Sequence, residues 1–327
     1  MERRIGILGC KHTTLDLIRA LRRAGVPLQQ VITLPPALGR RHQVAGYLDL
    51  RDELDRLAIP WTHATDYALN AEADRRALPR LGLDLLLVMG WQRLVPEWFL
   101  DCLPLGAWGM HGSCRPLPHG RGRSPLNWSI ITGQDTFYTH LFRYLPGVDD
   151  GPVAGQIVFD INPYDTALTL HKKNQIAMIR LVLEKLPAIL AGRVEPTPQP
   201  AEPPSYWPKR NPEDGIIFWE DPANVICRLV RAVSRPFPGA FCFLDDDPGR
   251  KLTIWQAQPF DRRLTWPDAA PGEIVAVFHD ATFVVRCGDA TVLVTESEGV
   301  RLTDEDLGRR LGSAGIKRKV WPNLPPL

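Results

Sequence analysis

In the first half of the chain, short apolar runs alternate with stretches whose apolar residues return at helical spacing. Ile5-Gly6-Ile7-Leu8 reads as a short buried strand. Leu15, Ile18 and Leu21 then fall on one helical face, with Thr13-Thr14 placed to cap the helix and Gly25 to end it. Gln30 to Leu34 gives a second strand and Leu48 to Leu57 a charged amphipathic helix. Leu83 to Val88 is a third strand, apolar enough to be buried on both faces. Ala107 to Met110 adds another, with His111 at its C-terminal end. Alternating strands and helices imply an α/β fold: a parallel sheet covered by helices on both sides.

The period then changes. Asp165 to Gly192 is a long helical stretch, and Val194 to Pro204 carries five prolines in eleven residues. Such a segment is stiff and extended, so the spacing predicts a first domain over 1–193, a Pro-rich linker over 194–206 and a second domain over 207–327. Within the second, a helix is expected near Ala223 to Val233. Short β-rich runs follow at Phe241–Leu244, Leu252–Trp255, Glu273–Val277, Thr282–Val285 and Ala290–Val294, separated by turn residues. That is the pattern of a small antiparallel barrel.

Composition narrows the class. The chain has 327 residues, 44% of them hydrophobic and 23% charged, as in soluble two-domain proteins. No apolar run is long enough for a membrane span, and the start resembles no signal peptide, so a cytoplasmic protein is expected. The six cysteines include no Cys-x-x-Cys pair, which argues against zinc and dithiol chemistry; no metal site is expected. A net charge of +2 neither demands nor forbids nucleic acid.

Three site types are missing. The turn after the first strand lacks Gly-x-Gly-x-x-Gly, and the chain has neither a Gly-x-x-x-x-Gly-Lys loop nor a Gly-x-Ser-x-Gly elbow. What remains is His111, at a strand end where open α/β sheets bind ligands. A Gly-, Pro- and Arg-rich loop follows it, then a helix from about Pro125. Further on, Pro146 to Pro152 forms a tight loop around Asp149 and Asp150. By residue type these are either a general base with its orienting carboxylate or a surface histidine and an acidic turn.

The same residues resemble the signature of the folate-dependent formyltransferase family: Asn-x-His-x-Ser-x-x-Pro, then Arg-Gly-x-x-Pro, then Asp-x-Gly. His111, Ser113 and Pro116 match the first piece, Arg121, Gly122 and Pro125 the second, Asp149 and Gly151 the third. Similarity continues through Asp165-Thr166 and Leu170-His171. In the second domain it covers Trp207 to Asp214, Trp219, Val230 to Val233 and Pro236 to Phe241. The flavour is similar to the formyltransferase domain acting on UDP-4-amino-4-deoxy-arabinose.

The resemblance implies a Rossmann-like parallel-sheet formyltransferase domain followed by a small OB-like β-barrel. It implies transfer of formyl from N10-formyltetrahydrofolate to a primary amine, with His111 assisting proton transfer and Asp149 orienting and charging its ring. It also implies that the pterin rests near Met89, Gly90, Trp91, Gln92 and Leu94, with Ser113 and Gly147 completing that site. Arg115, Arg121, Asn127 and Phe237 are the candidate substrate contacts.

One position departs from the signature: Gly109 stands where the family has an asparagine that donates to the formyl oxygen. Asn127, Ser113, Arg115 or a fixed water could replace that donor, the donor or acceptor could be unusual, or the chain could bind without turnover. Because relatives carry asparagine there, Gly109→Asn is expected to fit. Cys114 reads as a packing substitution for the family's leucine.

Three functions follow. The favoured one acts on a small amine, such as a nucleotide-linked amino sugar. Formylation of initiator methionyl-tRNA is the alternative, weakened by a linker that is mostly proline and by few clustered basic residues. The third is a silent folate- or nucleotide-binding module. Tyr206, Trp207, Phe237 and Trp255 would then stack on a base or simply fill the barrel core.

Overall fold

The structure is a computed structural model describing residues 3–321. The chain separates into two compact units. Of the described residues, one holds 3–121, 138–159 and 174–204; the other holds 122–137, 160–173 and 205–321.

The first unit is built on a seven-stranded sheet. Its strands are β1 (Ile5–Leu8), β2 (Gln30–Thr33), β3 (Trp61–His63), β4 (Leu85–Val88), β5 (Ala107–Ser113), β6 (Thr136–Arg143) and β7 (Val153–Asp160), in the order β3-β2-β1-β4-β5-β6-β7. The first five pair in parallel, as the alternating pattern predicts. β6 then runs antiparallel to β5, so the sheet is mixed at that edge.

Side-chain alternation explains the unbroken apolar runs. Ile5, Ile7, Leu85, Leu87 and Trp108 enter the core on one face, against Leu17, Ile18 and Leu21 of helix α1 (His12–Arg23). Leu8, Ile32, Leu86, Val88 and Ala107 enter the core on the other, with Phe99. Short helices α2 (Pro36–Arg41), α3 (Arg51–Arg56), α4 (Glu72–Ala77) and α5 (Glu97–Leu100) complete the early crossovers.

Element ends differ from the sequence reading for local reasons. α3 starts at Arg51 rather than Leu48, and the Leu48 N–H bonds the Cys10 carbonyl at 3.0 Å. Thr14 sits one turn inside α1 rather than at its cap. Its hydroxyl accepts the Lys11 N–H at 3.1 Å, the return half of a capping box, and donates to the Met89 carbonyl at 2.6 Å. β5 extends to Ser113, so His111 lies within the strand instead of at its end.

The second unit contains α6 (Pro125–Ile131) and α8 (Ala223–Val233); between them in the chain lies α7 (Ala167–Leu190). The unit's strands are β8 (Ala240–Leu244), β9 (Lys251–Pro259), β10 (Ile274–Val277), β11 (Phe283–Arg286), β12 (Thr291–Gly299) and β13 (Leu311–Gly312). They form one antiparallel sheet, ordered β10-β11-β12-β9-β8-β13. The sheet curls until its two edges meet at a Glu273–Arg310 bridge. α8 lays Ile226, Val230 and Val233 on its buried face.

Candidate active site

The site grows from β5. Its ladder with β4 ends at Val88–Gly109, while its ladder with β6 continues to Ser113–Tyr138. The chain leaving β4 as Met89 to Leu94 therefore emerges beside the C-terminal half of β5. With a period of two, Gly109, His111 and Ser113 share one face of the strand. His140, Phe142 and Tyr144 follow the same alternation along and just beyond β6, with His140 opposite His111 and Phe142 opposite Gly109.

His111 is only 8% exposed. Its Nε2 lies 2.7 Å from the Gly120 carbonyl and its Nδ1 3.3 Å from Asp149 Oδ2. Each ring nitrogen of His111 thus has an oxygen within reach. His111 is therefore buried beside Asp149 rather than exposed on the surface.

Asp149 is held by a tight loop between β6 and β7. Its φ of +50° lies in the left-handed region, which aspartate tolerates better than most residues. Gly151 permits the loop's closure: a Cβ there would stand 1.6 Å from the Arg143 carbonyl oxygen. Gly147 is tight for a different reason, since a Cβ would meet the Asp150 carboxylate at 1.9 Å.

A residue from the proline-rich stretch completes the loop. Gln199 Nε2 donates to the carbonyls of Asp149 at 2.7 Å and Gly151 at 2.8 Å, and its Oε1 accepts from Arg121 Nη2 at 2.6 Å. A Val153–Thr197 bridge and a 3.0 Å contact between His119 and Glu202 lay the same stretch along this unit. Extended proline-rich backbone is therefore structural here, and one side chain on it ties the Arg-Gly motif to the Asp-x-Gly motif.

Two aromatic groups set the polarity around His111. Burial, with neighbouring His111 acting in the same direction, pushes His140 down from 6.5 to about 4, so this ring is neutral at ordinary pH. Burial also raises the Tyr144 phenol above its usual range, and the charge of Asp149 adds to the effect. Tyr144 stacks on Phe142 with ring centroids 5.1 Å apart.

Tyr144 also corrects one expectation. A Cβ built on Gly109 would lie 2.3 Å from Tyr144 Cε1 and 2.6 Å from its hydroxyl oxygen. Asparagine does not fit at position 109 unless the tyrosine moves.

The expected pterin segment divides. Met89 and Trp91 turn into the core, Trp91 edge-on to Tyr67 at 4.8 Å. Gly90 adopts φ +78°. The Gln92 N–H donates to the Tyr67 hydroxyl at 3.1 Å, and Leu94 is 52% exposed. The Trp91 indole N–H is buried without a hydrogen-bond partner among the described residues, an open donor beside the strand that ends at Val88. Ser113 is fully buried.

The substrate candidates scatter. Arg115 is exposed on the loop after β5, and Arg121 is buried with its guanidinium on Gln199. Asn127 and Phe237 belong to the second unit. There the Asn127 amide donates to the Ala232 carbonyl at 2.6 Å, fastening α6 to α8, and Phe237 faces His171 at 6.0 Å. One of the two Asn127 amide N–H groups is thus committed to structure. Cys114 is buried, in keeping with a packing role.

An open α/β sheet thus places a histidine–carboxylate pair near the carboxyl end of its central strands, where such sheets bind ligands and where the two residue types suit proton transfer. Residues 47–185 match the family described as Formyl transferase, and residues 209–301 match its C-terminal domain. The chain belongs to the formyltransferase family.

Solved structures with the same fold include HypX from Aquifex aeolicus in complex with tetrahydrofolic acid. It shares 19% identity at a TM-score of 0.60, over 91% of this chain and 44% of that one. An N-formyltransferase from Helicobacter canadensis, in complex with folinic acid and dTDP-3-aminofucose, shares 15% identity at 0.64, over 91% and 100%. A sugar N-formyltransferase from a Shewanella species shares 15% at 0.60, over 77% and 96%. The chain spans less than half the length of HypX. At these identities the likeness is one of fold.

Proposed function

We propose that this protein transfers a formyl group from N10-formyltetrahydrofolate to the primary amine of a small biosynthetic substrate, with a nucleotide-linked amino sugar as the favoured acceptor class. The observation that carries the reading is the His111–Asp149 pair, 3.3 Å apart, with His111 buried and Asp149 half-buried, on the strand next to β4 and the loop after β6.

The chemistry asks for what that pair offers. The amine nitrogen bonds to the formyl carbon, and the formyl oxygen gathers negative charge. The carbon–N10 bond then breaks, the amine loses a proton and N10 gains one. A histidine flanked by a carboxylate can carry that proton while its positive charge faces the developing oxyanion. Backbone around Gly90 and the buried Trp91 N–H offer hydrogen bonds to the polar edge of a pterin.

The acceptor class rests on two supports. The Helicobacter relative was solved with a dTDP-linked amino sugar. In addition, basic residues near the end of this chain are neutralised within their own unit: Arg318 pairs with Asp221 at 2.8 Å and Lys319 with Asp214 at 3.3 Å. Paired cations release few counterions on meeting a phosphate backbone, which weakens the tRNA reading.

The test supplies N10-formyltetrahydrofolate with a panel of nucleotide-linked amino sugars, other small amines and methionyl-tRNA, and follows release of tetrahydrofolate. Turnover with a small amine is expected. Turnover with tRNA alone would replace the acceptor class, and tight folate binding with no turnover would make the chain a silent binding module.

A further inference from the structure

The formyltransferase reading leaves one group unassigned. Its transition state puts negative charge on the formyl oxygen, and the side chain that the family signature supplies for that charge is absent at Gly109. The space is nevertheless filled. The Tyr144 hydroxyl lies 2.6 Å from where the Cβ of residue 109 would be, about as far as an asparagine's own amide atoms would stand from that Cβ.

Three further observations bear on what this hydroxyl does. Gly109 shares a strand face with His111, so the tyrosine ring occupies the histidine's side of the sheet, one residue pair along. Among the described residues no hydrogen bond engages the hydroxyl. Burial and the Asp149 charge keep the phenol protonated far above neutral pH, so it remains a donor throughout the working range.

We propose that Tyr144 is a catalytic residue whose hydroxyl donates a hydrogen bond to the formyl oxygen, standing in for the asparagine that Gly109 replaces. The exchange is reciprocal. Glycine at 109 gives the ring its room, and the ring returns a donor from a different strand end. No bond is made or broken at the tyrosine: its O–H stays intact while the carbonyl becomes an oxyanion and collapses to the new amide. The assignment rests on the formyl-transfer reading, so its test must separate the two.

Tyr144→Phe keeps the ring and removes only the hydroxyl. Loss of one oxyanion donor is expected to lower kcat about 100-fold while the KM for the formyl donor changes little. A second readout needs no acceptor. Carbon-13 at the formyl group of 5-formyltetrahydrofolate allows its carbonyl stretch to be isolated by infrared difference spectroscopy on the bound ligand. The stretch should lie lower in the wild type than in Tyr144→Phe. A third arm tests the exchange itself: Gly109→Asn in a Tyr144→Ala background should recover roughly tenfold or more of the lost rate.

An unchanged kcat and an unchanged carbonyl band in Tyr144→Phe, with formyl-folate still bound, would overturn the Tyr144 assignment and leave the formyltransferase reading intact. Wild-type protein that binds no formyl-folate and releases no tetrahydrofolate would overturn both.

Discussion

His140 faces His111 across the β5–β6 ladder, and burial decides its charge. Its folded value near 4 lies below the ordinary 6.5, so between those values the unfolded chain binds more protons than the folded one. The stabilising contribution of the neutral ring is therefore complete above about pH 6.5 and disappears as pH falls toward 4. The full contribution is on the order of 3 kcal/mol. Urea melts at pH 7.5 and 4.5 should show wild-type stability falling on acidification, and His140→Gln should flatten that fall; equal falls in both would refute it. Single residues were unevenly legible in the sequence. His111 and Asp149 stand in short motifs whose spacing survives any alignment of elements. Tyr144 does not, because what gives it a role is a missing side chain at Gly109, on another strand.

At the level of elements, the strands buried on both faces were readable from their apolar runs, as with Ile5–Leu8 and Leu85–Val88. β6 and β7 were not, since β7 alternates between half-buried and exposed positions and neither carries an unbroken run. The proline-rich stretch hid more. Its composition describes a backbone preference, and a stiff extended segment serves as well for a strap as for a linker. Gln199 makes the difference, through bonds to main-chain carbonyls that no side-chain motif announces. Removing its amide leaves the Asp149 and Gly151 carbonyls without that donor, at a cost of about 1–3 kcal/mol, and frees the loop that aims the carboxylate. Gln199→Ala should therefore lower kcat more than tenfold, with a modest drop in Tm; Gln199→Glu should not rescue it, because a carboxylate cannot donate to the two carbonyls. Wild-type kcat in Gln199→Ala would show that the loop holds Asp149 unaided.

At the level of the whole molecule, the change from alternating α/β pattern to short antiparallel runs correctly announced two kinds of architecture in one chain. The two units do not divide at a single point along the sequence: residues 122–137 and 160–173 group with the C-terminal sheet. Hydrophobic period cannot show such an exchange, because α6 looks like any other short helical turn until Asn127 and its neighbours are seen against α8. Tetrahydrofolate release should be measured for wild type, His111→Ala and Asp149→Asn, with folding checked by thermal melts and formyl-folate binding by titration. The His111–Asp149 mechanism predicts that both variants stay folded and bind formyl-folate while turnover falls on the order of 1,000-fold. Wild-type turnover in either variant would contradict it.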